Sequence, residues 1–414
     1  MKRPDAPLET LITIEGGGTP SKARPEFYKG AIPWVTPKDM KSWEIFDSQD
    51  HITAEAIEES TTKLIPVGAV LVVIRSGVLK HSLPIAINRV PVTLNQDMKA
   101  LRCGKDLHPE YLARVLQAFS PRLLQTVRGT TADNISTDVL RRLEIPVPPL
   151  HEQRRIAEIL DKADALRAKR RKTIGMLDEL ASSTFTEMFG DPVANPKNWP
   201  NTGLGDHLSF QLYGPRFYNE AYTPHGVRIV RITDLDAQGR LNFCEMPRLD
   251  VCKEDLEKYA LQPGDIIFAR TGATVGKVAL IREGDPPCIA GAYFITMRFG
   301  NSIHPEYARA ALVSPAVQAI VWKRSQQTAQ QNFSGPGLRS LPMPVPPLEL
   351  QVKFAEIVRS IESQKQKLVV SLNYFDQLFG SLQARAFEGG RPHELMASCL
   401  FAPARLGGLA ESLQ

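Results

Sequence analysis

The chain has 414 residues, of which 43% are hydrophobic and 23% are charged, and its net charge is only +5. This length predicts two or three domains with real hydrophobic cores, whereas the small charge excess does not by itself indicate a nucleic-acid-binding protein. The five cysteines form no C-x-x-C pair and no run of 18 apolar residues exists, which argues against disulfide-rich, zinc-ribbon and transmembrane proteins and predicts a cytoplasmic one.

The first 145 residues are predicted to form one globular domain that mixes short strands and helices. Gly16-Gly17-Gly18-Thr19-Pro20 is a turn that requires the backbone freedom of glycine. Residues 32–39 are predicted to be extended, and the β-branched run of residues 70–74 predicts a buried strand. Residues 107–124 are expected to form a helix that starts at a His-Pro pair.

An extended proline segment that leads into one long helix follows the first domain. Pro146-Val147-Pro148-Pro149 cannot be helical throughout, because a residue that precedes proline is driven to extended geometry. Beyond Pro149 no proline occurs until Pro192, so one helix is predicted over residues 149–188. About 38 helical residues would span about 57 Å.

The same segment occurs a second time. The stretch from Leu338 aligns with the stretch from Leu140 at an offset of 198 residues, and 12 of the 20 aligned positions are identical. A gapless repeat of this length is not chance, and its period is far too long for a solenoid. The second helix is therefore predicted over residues 347–387. The predicted segments are a first globular domain (1–145), a first helical spacer (146–190), a second globular domain (191–343), a second helical spacer (344–389) and a poorly specified tail (390–414).

Each long helix carries a stripe of mostly apolar residues at spacings of three and four. The pattern favours an antiparallel coiled coil formed by the two helices, and a pair of ordinary core helices in a bundle is the alternative. If the helices pair, their length sets the distance between the two domains. The stripes are Ile156, Ile159, Ala163, Leu166, Thr173, Leu177, Leu180 and Thr184 in the first helix, and Phe354, Ile357, Ile361, Gln364, Leu368, Ser371, Phe375, Leu378 and Leu382 in the second.

The first helix also concentrates positive charge. Residues 150–172 hold eight basic and four acidic side chains. Such a run is either an ordinary solvated face or a surface that meets phosphates or a partner. The residues assigned to a partner-binding surface on the two helices are Arg154, Arg155, Arg170, Arg171, Lys353 and Lys365.

The second domain repeats the order of the first. Residues 227–234 take the place of the segment that contains Trp34. Residues 261–272 take the place of residues 64–77, so Arg75 and Arg270 are predicted to end corresponding strands.

We find no catalytic motif in the sequence. Gly272–Lys277 resembles a P-loop, but it has one residue too few between its glycines, and Val278 stands where a magnesium-binding Ser or Thr is required. His108-Pro109-Glu110 and His304-Pro305-Glu306 resemble fragments of a zinc-deaminase signature, yet no P-C-x-x-C follows, so they are predicted to be helix starts. A non-catalytic chain without a metal or cofactor of its own is expected.

Polar residues of the kinds that recognise bases cluster at predicted strand ends and loops. Arginine pairs with guanine, and asparagine or glutamine pairs with adenine, in the major groove. Taken singly, each could equally be an ordinary polar surface residue. Their recurrence in both domains favours DNA binding. The predicted DNA-binding residues are Lys22, Thr36, Lys38, Arg75, Ser76, Lys80, Asn95, Gln96, Thr131 and Asn134 in the first domain, and Arg216, Arg231, Thr233, Arg270, Thr271, Lys277, Gln327 and Asn332 in the second.

These features together resemble a known family, the DNA specificity subunits of type I restriction–modification systems. The resemblance rests on a P-x-P-P-L segment followed by a long helix, present twice, and it covers residues 8 to about 388. Supporting stretches are Gly17-Gly18-Thr19-Pro20, Trp34-Val35-Thr36-Pro37-Lys38-Asp39, and Phe189-Gly190-Asp191-Pro192-Val193 with Asn195-Pro196-Lys197 and Trp199.

The resemblance implies an α+β fold in which two target recognition domains are separated by two long helices that pair as an antiparallel coiled coil. It implies that each domain binds one half of a bipartite site in double-stranded DNA. The helices would dock two methylation subunits, which recruit restriction subunits. S-adenosylmethionine is then expected in the methylation partner, in agreement with the lack of an N/D-P-P-Y/F motif here. The alternatives are a coiled-coil scaffold with two protein-binding domains and a fragment of a fused restriction–methylation enzyme.

Overall fold

The computed structural model describes residues 5–127, 133–216, 221–236, 238–326 and 331–387. The chain divides into two compact units: unit 1 combines the described residues of Met1–Lys169 and Leu372–Gln414, and unit 2 is Arg170–Ser371. Each long helix therefore belongs with one half to unit 1 and with the other half to unit 2. Thr131, Gln327 and the predicted tail lie outside the described residues.

Short strands form three sheets in unit 1. The strands are β1 (Asp5–Pro7), β2 (Ile12–Gly16), β3 (Ile32–Val35), β4 (Glu44–Ile45), β5 (His51–Ile52), β6 (Val70–Val73), β7 (Ile85–Asn88), β8 (Thr93–Leu94), β9 (Met98–Cys103) and β10 (Glu144–Pro146). The main sheet has the order β2-β9-β6-β7-β4, the second has the order β5-β3-β8, and β1 pairs with β10. Within them β4 is parallel to β7 and β3 is parallel to β8.

The core of unit 1 lies between the main sheet and its helices. These are α1 (Ala54–Glu58), α2 (Pro109–Ala118), α3 (Ser120–Leu124), α4 (Thr137–Arg141), the first half of α5 (Leu150–Phe189) and the second half of the other long helix, described below. All four residues of β6 are buried, as its β-branched run predicts, because β9 and β7 flank it and α2 packs on it. The helix predicted over residues 107–124 is two helices, because Pro121 lacks an N–H donor and starts a new first turn.

Unit 2 repeats this arrangement with fewer strands. They are β11 (Asn201–Gly203), β12 (Leu208–Tyr213), β13 (Val227–Val230), β14 (Arg248–Leu249), β15 (Ile266–Ala269), β16 (Val278–Leu280), β17 (Cys288–Ala290), β18 (Phe294–Phe299) and β19 (Pro342–Pro344). The helices are the second half of α5, α6 (Lys253–Tyr259), α7 (Pro305–Val313), α8 (Pro315–Ser325), α9 (Gly335–Arg339) and the first half of α10 (Leu348–Phe387).

Sheet topology confirms the predicted repeat of domains. The order β12-β18-β15-β16 in unit 2 matches β2-β9-β6-β7 in unit 1, and the parallel pair β13/β17 matches β3/β8. The pair β11/β19 likewise matches β1/β10 and joins the start of each domain to its proline segment.

The long helices α5 and α10 each contain 40 residues and begin one residue after the predicted proline. In unit 1, Phe387 at the end of α10 packs on Tyr111, whose hydroxyl donates to Pro146 O just before α5, whereas Asp376 pairs with Arg167 further along α5. The two helices therefore run antiparallel there.

The same antiparallel pairing holds in unit 2. The ring of Phe354, near the start of α10, contacts Phe185 and Phe189 at the end of α5. Further along, Lys365 of α10 pairs with Asp178 of α5. The predicted antiparallel pairing of the two long helices is thus confirmed within each unit.

The predicted faces of the helices are partly wrong. Ile159, Leu166, Leu180, Gln364 and Leu378, all assigned to the paired stripes, are exposed. The packed face carries apolar residues together with a few polar and charged ones, because each helix half packs against its domain as well as against the other helix. The buried or half-buried positions of α5 include Gln153, Ala157, Leu160, Arg167 and Phe185, and those of α10 include Gln351, Phe354, Val358, Lys365 and Phe379.

In each unit one fully buried glutamine fixes the domain to its long helix. Gln153 accepts a hydrogen bond from His108 N at 2.8 Å and donates to Asp106 O and Pro148 O. Gln351, 198 residues later, accepts from His304 N at 2.8 Å and donates to Ser302 O and Pro346 O. The His-Pro-Glu fragments are therefore helix starts, as predicted.

Replacing Gln351 by alanine should lower the free energy of unfolding of unit 2 by about 1–2 kcal/mol. The substitution leaves a buried N–H and two buried carbonyls without their partner, and each unsatisfied group carries a desolvation cost. Calorimetric unfolding measures the change, and Gln366→Ala on the exposed side of the same helix is the matched control. Equal effects of both substitutions would show that the buried hydrogen bonds of Gln351 do not stabilise unit 2.

Candidate nucleic-acid interface

A polar cluster forms in unit 1 where several strand ends meet. Arg75 follows β6, and Asn95, Gln96 and Asp97 form the turn between β8 and β9. Arg75 also forms an isolated bridge with Asn134, which brings the loop before α4 to the same place. The structure therefore brings together predicted DNA-binding residues that lie far apart in the sequence.

The guanidinium of Arg75 is held by a carboxylate that the sequence analysis missed. Nε and Nη2 of Arg75 both lie 2.6 Å from Asp97 Oδ1. The other oxygen of Asp97 accepts from Asn95 Nδ2 at 3.0 Å, while Asp97 N donates to Asn95 Oδ1 at 3.1 Å. Asn95 is only 7% exposed and positions Asp97, so its side chain is scarcely accessible, contrary to its prediction as a DNA contact.

The glycine turn packs against the same cluster. A Cβ on Gly17 would lie 2.0 Å from Asn95 O, so only glycine fits this close approach of two backbone segments. Gly18 N donates to Leu94 O, and the indole N–H of Trp34 donates to Gly18 O at 3.1 Å. Thr19 hydrogen-bonds to the exposed Gln96. The turn thus fixes the backbone beneath the polar side chains.

Thr36 is mostly buried, although it contributes to an open hollow of unit 1 that Lys38 also lines. It is 7% exposed, and its N–H and hydroxyl both donate to Asp39, which corrects its prediction as a DNA contact. Lys38 lies near it and pairs with Asp50 at 2.7 Å; this hydrogen bond raises the pKa of Lys38. Lys22 is exposed and lines the same open hollow.

The remaining predicted residues of unit 1 follow Arg75. Ser76 caps the short helical turn Gly77–Lys80 by accepting from Val78 N, so its hydroxyl has a structural bond. Lys80 is exposed, and its Nζ lies 4.0 Å from Asp133 Oδ2. Asn134 is exposed beside Arg75.

Unit 2 builds the equivalent surface with different side chains. Gly214 takes the place of Gly17, because a Cβ there would lie 2.1 Å from Gly291 O. Arg231 takes the place of Thr36: its N–H donates to Asp234 at 2.7 Å, and its guanidinium also bonds to that carboxylate. These hydrogen bonds raise the pKa of Arg231. Thr233 and Arg216 are exposed, whereas Lys277 is half-buried with its Nζ 3.4 Å from Leu235 O.

Arg75 and Arg270 do not occupy corresponding positions, which corrects the predicted alignment. Asn134 bridges Arg75, but its repeat Asn332 bridges Thr271. Likewise Ile135 N donates to Ile74 O, whereas Phe333 N donates to Arg270 O. Thr271 is therefore the counterpart of Arg75, and Arg270 is the counterpart of the buried Ile74. A shift of one residue sends a strand side chain to the opposite face.

Arg270 accordingly has a packed environment. Its guanidinium carbon lies 4.7 Å from the centre of the Tyr213 ring, and its Nε is buried without a hydrogen-bond partner. The Tyr213 hydroxyl accepts from Gly335 N at 2.8 Å. Asn332 is half-buried, with its Oδ1 lacking a partner.

The turn between strands also differs between the units. Gly291, Ala292 and Tyr293 of unit 2 stand where unit 1 has Asn95, Gln96 and Asp97, and Tyr293 is 59% exposed. Polar residues thus recur less than predicted, and glycine, alanine and one tyrosine replace them. Tyr293 was not among the predicted residues, although exposed aromatic rings are frequent at recognition surfaces.

The predicted partner surface on the helices is mostly accessible. Arg154, Arg155, Arg171 and Lys353 are exposed, and Arg170 is half-buried. Lys365 is the exception, with 2% exposure and an ion pair to Asp178 inside unit 2, so its prediction as a partner contact is corrected.

In the part of the chain that the structure describes, no helix is long and apolar enough to cross a membrane, and no acidic, histidine and cysteine side chains gather as a metal site would require.

Comparison with known proteins gives a consistent family. A model described as type I restriction modification DNA specificity domain matches residues 6–175 and 234–370, which is more than half of the chain. A type I restriction enzyme specificity subunit of Escherichia coli, EcoR124I/EcoR124II, is 43% identical over 154 residues, covering 36% of this chain and 38% of that protein. The MjaIX specificity subunit of Methanocaldococcus jannaschii is 29% identical over 224 residues, covering 49% and 51%. The chain thus spans at most about half the length of these two relatives.

Solved structures share the fold over nearly the whole chain. The S subunit of a type I restriction–modification system from M. genitalium has a TM-score of 0.59 at 16% identity, covering 94% of this chain and 96% of that one. A chain from a structural study of the assembly and conformational transition of the type I system has a TM-score of 0.57 at 17% identity, covering 93% and 98%. At these identities the likeness concerns the fold.

Proposed function

This chain belongs to the DNA specificity family of type I restriction–modification systems, and on that premise we propose that each unit recognises one half of a bipartite DNA site. The observation that carries the proposal is the shared constellation of a glycine turn, a strand end and an asparagine bridge in both units. Side chains at this constellation differ between the units, as expected if two surfaces built on one backbone plan recognise different base sequences.

The long helices are proposed to dock two methylation subunits, which carry S-adenosylmethionine and recruit restriction subunits. In support, α5 exposes Ile159, Leu166, Met176 and Leu180 although the helix is otherwise strongly polar. Apolar side chains that remain exposed beside arginines are typical of protein interfaces. In this proposal the partner catalyses methyl transfer, and this chain determines which DNA sequence is methylated.

A coiled-coil scaffold with two protein-binding domains is the competing function, and salt dependence separates the two. Duplex binding that neutralises several phosphates weakens steeply and linearly on a log–log plot of affinity against salt. Fluorescence anisotropy of the full chain with its methylation partner on labelled duplex DNA measures this slope. A complex without measurable duplex affinity at low salt would favour the scaffold.

Exchanging residues 1–145 for the first domain of another family member should change one half of the methylated site and leave the other half unchanged. The donor must retain the equivalents of Tyr111 and Arg114, because Tyr111 packs on Phe387, and Arg114 pairs with Asp161 and Asp164. Methylation mapping of the chimera with its partner gives the result.

The matched control is the exchange of residues 191–343, for which the other half-site should change. Simultaneous change of both halves in either chimera would contradict the assignment of one half-site to each unit.

A further inference from the structure

We propose that Arg75 recognises a guanine in the half-site of unit 1 and that unit 2 has no arginine reader at the corresponding position. The inference rests on the proposed function and names one base for one residue. It follows from the orientation of the Arg75 guanidinium and from the one-residue difference between the two strand ends.

The geometry around Arg75 leaves a recognition edge available. Its contacts to Asp97 use Nε and one hydrogen of Nη2, which leaves Nη1 and the second Nη2 hydrogen for another ligand. The Arg75 side chain is 47% exposed, whereas Asp97 is 23% exposed and is held twice by Asn95. The guanidinium is therefore oriented before any ligand binds, which lowers the entropy lost on binding.

The chemistry of the site favours a base over a phosphate. Guanine presents two acceptors, O6 and N7, on its major-groove edge, and arginine is their usual bidentate donor. The Asp97 carboxylate beside Arg75 disfavours the approach of a negatively charged phosphate, whereas the charge of Asp133 on the neighbouring loop is offset by Lys80. A neutral base edge meets no such repulsion, so guanine is the expected ligand.

Unit 2 lacks the corresponding pair of an arginine and an aspartate. Thr271 occupies the position of Arg75, and Tyr293 takes the place of Asp97. Arg270 lies on the ring of Tyr213, which is itself bonded to Gly335, so this arginine stabilises the loop arrangement. The two halves of the DNA site are therefore expected to differ at this position.

The test maps methylation by the full chain assembled with its methylation partner, using Arg75→Ala, Arg75→Lys, Asp97→Asn and Arg270→Ala. The wild-type half-site assigned to unit 1 should contain a required guanine. Arg75→Ala should reduce discrimination at that single base pair about 5- to 150-fold, since a bidentate pair contributes about 1–3 kcal/mol and 1.4 kcal/mol is tenfold. Arg75→Lys should retain part of the preference.

The supporting variants separate positioning from contact. Asp97→Asn should relax the same base pair to a smaller extent, because it loosens the arginine without removing it. Arg270→Ala should lower the melting temperature without altering sequence preference. Unfolding curves show whether Arg75→Ala folds, and Arg75→Lys provides the second measurement if it does not.

Three results would overturn the inference. Uniform loss of methylation at all sites in Arg75→Ala would assign Arg75 to a phosphate, and an unchanged motif would assign it to the fold. Relaxation by Arg270→Ala would refute the asymmetry. If wild-type methylation shows no bipartite motif at all, the proposed function itself fails. A bipartite motif that is insensitive to Arg75 refutes only the guanine assignment.

Discussion

Replacing Asp178 by alanine is expected to lower the free energy of unfolding of unit 2 by about 3 kcal/mol. Lys365 is 2% exposed and pairs with Asp178, so the substitution leaves a buried ammonium without its counter-ion. Breaking a buried pair from one side costs about 3–5 kcal/mol, and the lower end applies because Asp178 is 34% exposed and water reaches it. Denaturant unfolding of the full chain measures the loss.

The internal repeat supplies a matched control. Arg167 and Asp376 are the counterparts of Lys365 and Asp178 at the offset of 198, and they pair inside unit 1 at 2.5 Å. Arg167 is 16% exposed and also bonds to Asp164, so Asp376→Ala should cost less. The double variant Lys365→Met with Asp178→Leu should recover most of the stability, since apolar residues often replace a buried pair without loss. If Asp178→Ala leaves the free energy of unfolding unchanged, the ion pair does not stabilise unit 2, and water must solvate the Lys365 ammonium.

The architecture could be predicted because its signals are long and repeated. A proline segment and 40 residues free of proline determine where each helix begins to within one residue. The repeat at 198 predicted a pair of related domains, and their strand orders agree. The repeat and the prolines that bound each helix can be identified in the sequence alone, without knowledge of what packs on the helices.

The faces of the helices could not be predicted from apolar spacing. Ile159, Leu166 and Leu180 obey the heptad pattern but are exposed, whereas the polar Gln153 and the charged Lys365 are buried. Their burial is satisfied by partners distant in sequence: the backbone around His108 for Gln153, and Asp178 for Lys365. Hydrogen bonds of this kind have no local sequence signature.

The prediction of the candidate site was wrong because the two domains were aligned one residue out of register. Arg75-Ser76-Gly77 and Arg270-Thr271-Gly272 look equivalent, yet the backbone pairing equates Arg75 with Thr271. A local signal was present in the preceding turn, because Gly68 and Gly264 both have positive φ and lie 196 residues apart, whereas the two arginines lie 195 apart. One residue decides which face of a strand a side chain occupies, so alignment by similar dipeptides is unsafe.

Inserting four residues into both long helices should lengthen the spacer between the half-sites by one or two base pairs. The insertions lie between Lys172 and Thr173 and between Val370 and Ser371, midway between the ion pairs of the two units. Four helical residues add about 6 Å of rise and about 40° of rotation. Base pairs add about 3.4 Å each and about 34° of twist, with the same right-handed sense. Rise and rotation therefore agree with one or two added base pairs.

Methylation mapping of this variant with its partner should show unchanged half-sites around the longer spacer, because the recognising side chains are untouched. Inserting seven residues in both helices adds about 10.5 Å but rotates the helix by about −20°, whereas three base pairs turn the duplex by about 100°. That variant should methylate poorly although its stripes stay in phase. A four-residue insertion in α5 alone shifts one helix against the other, so the ion pairs of Asp178 and Asp376 should no longer form together. An unchanged spacer in an active doubly inserted complex would show that the helices do not set the spacing.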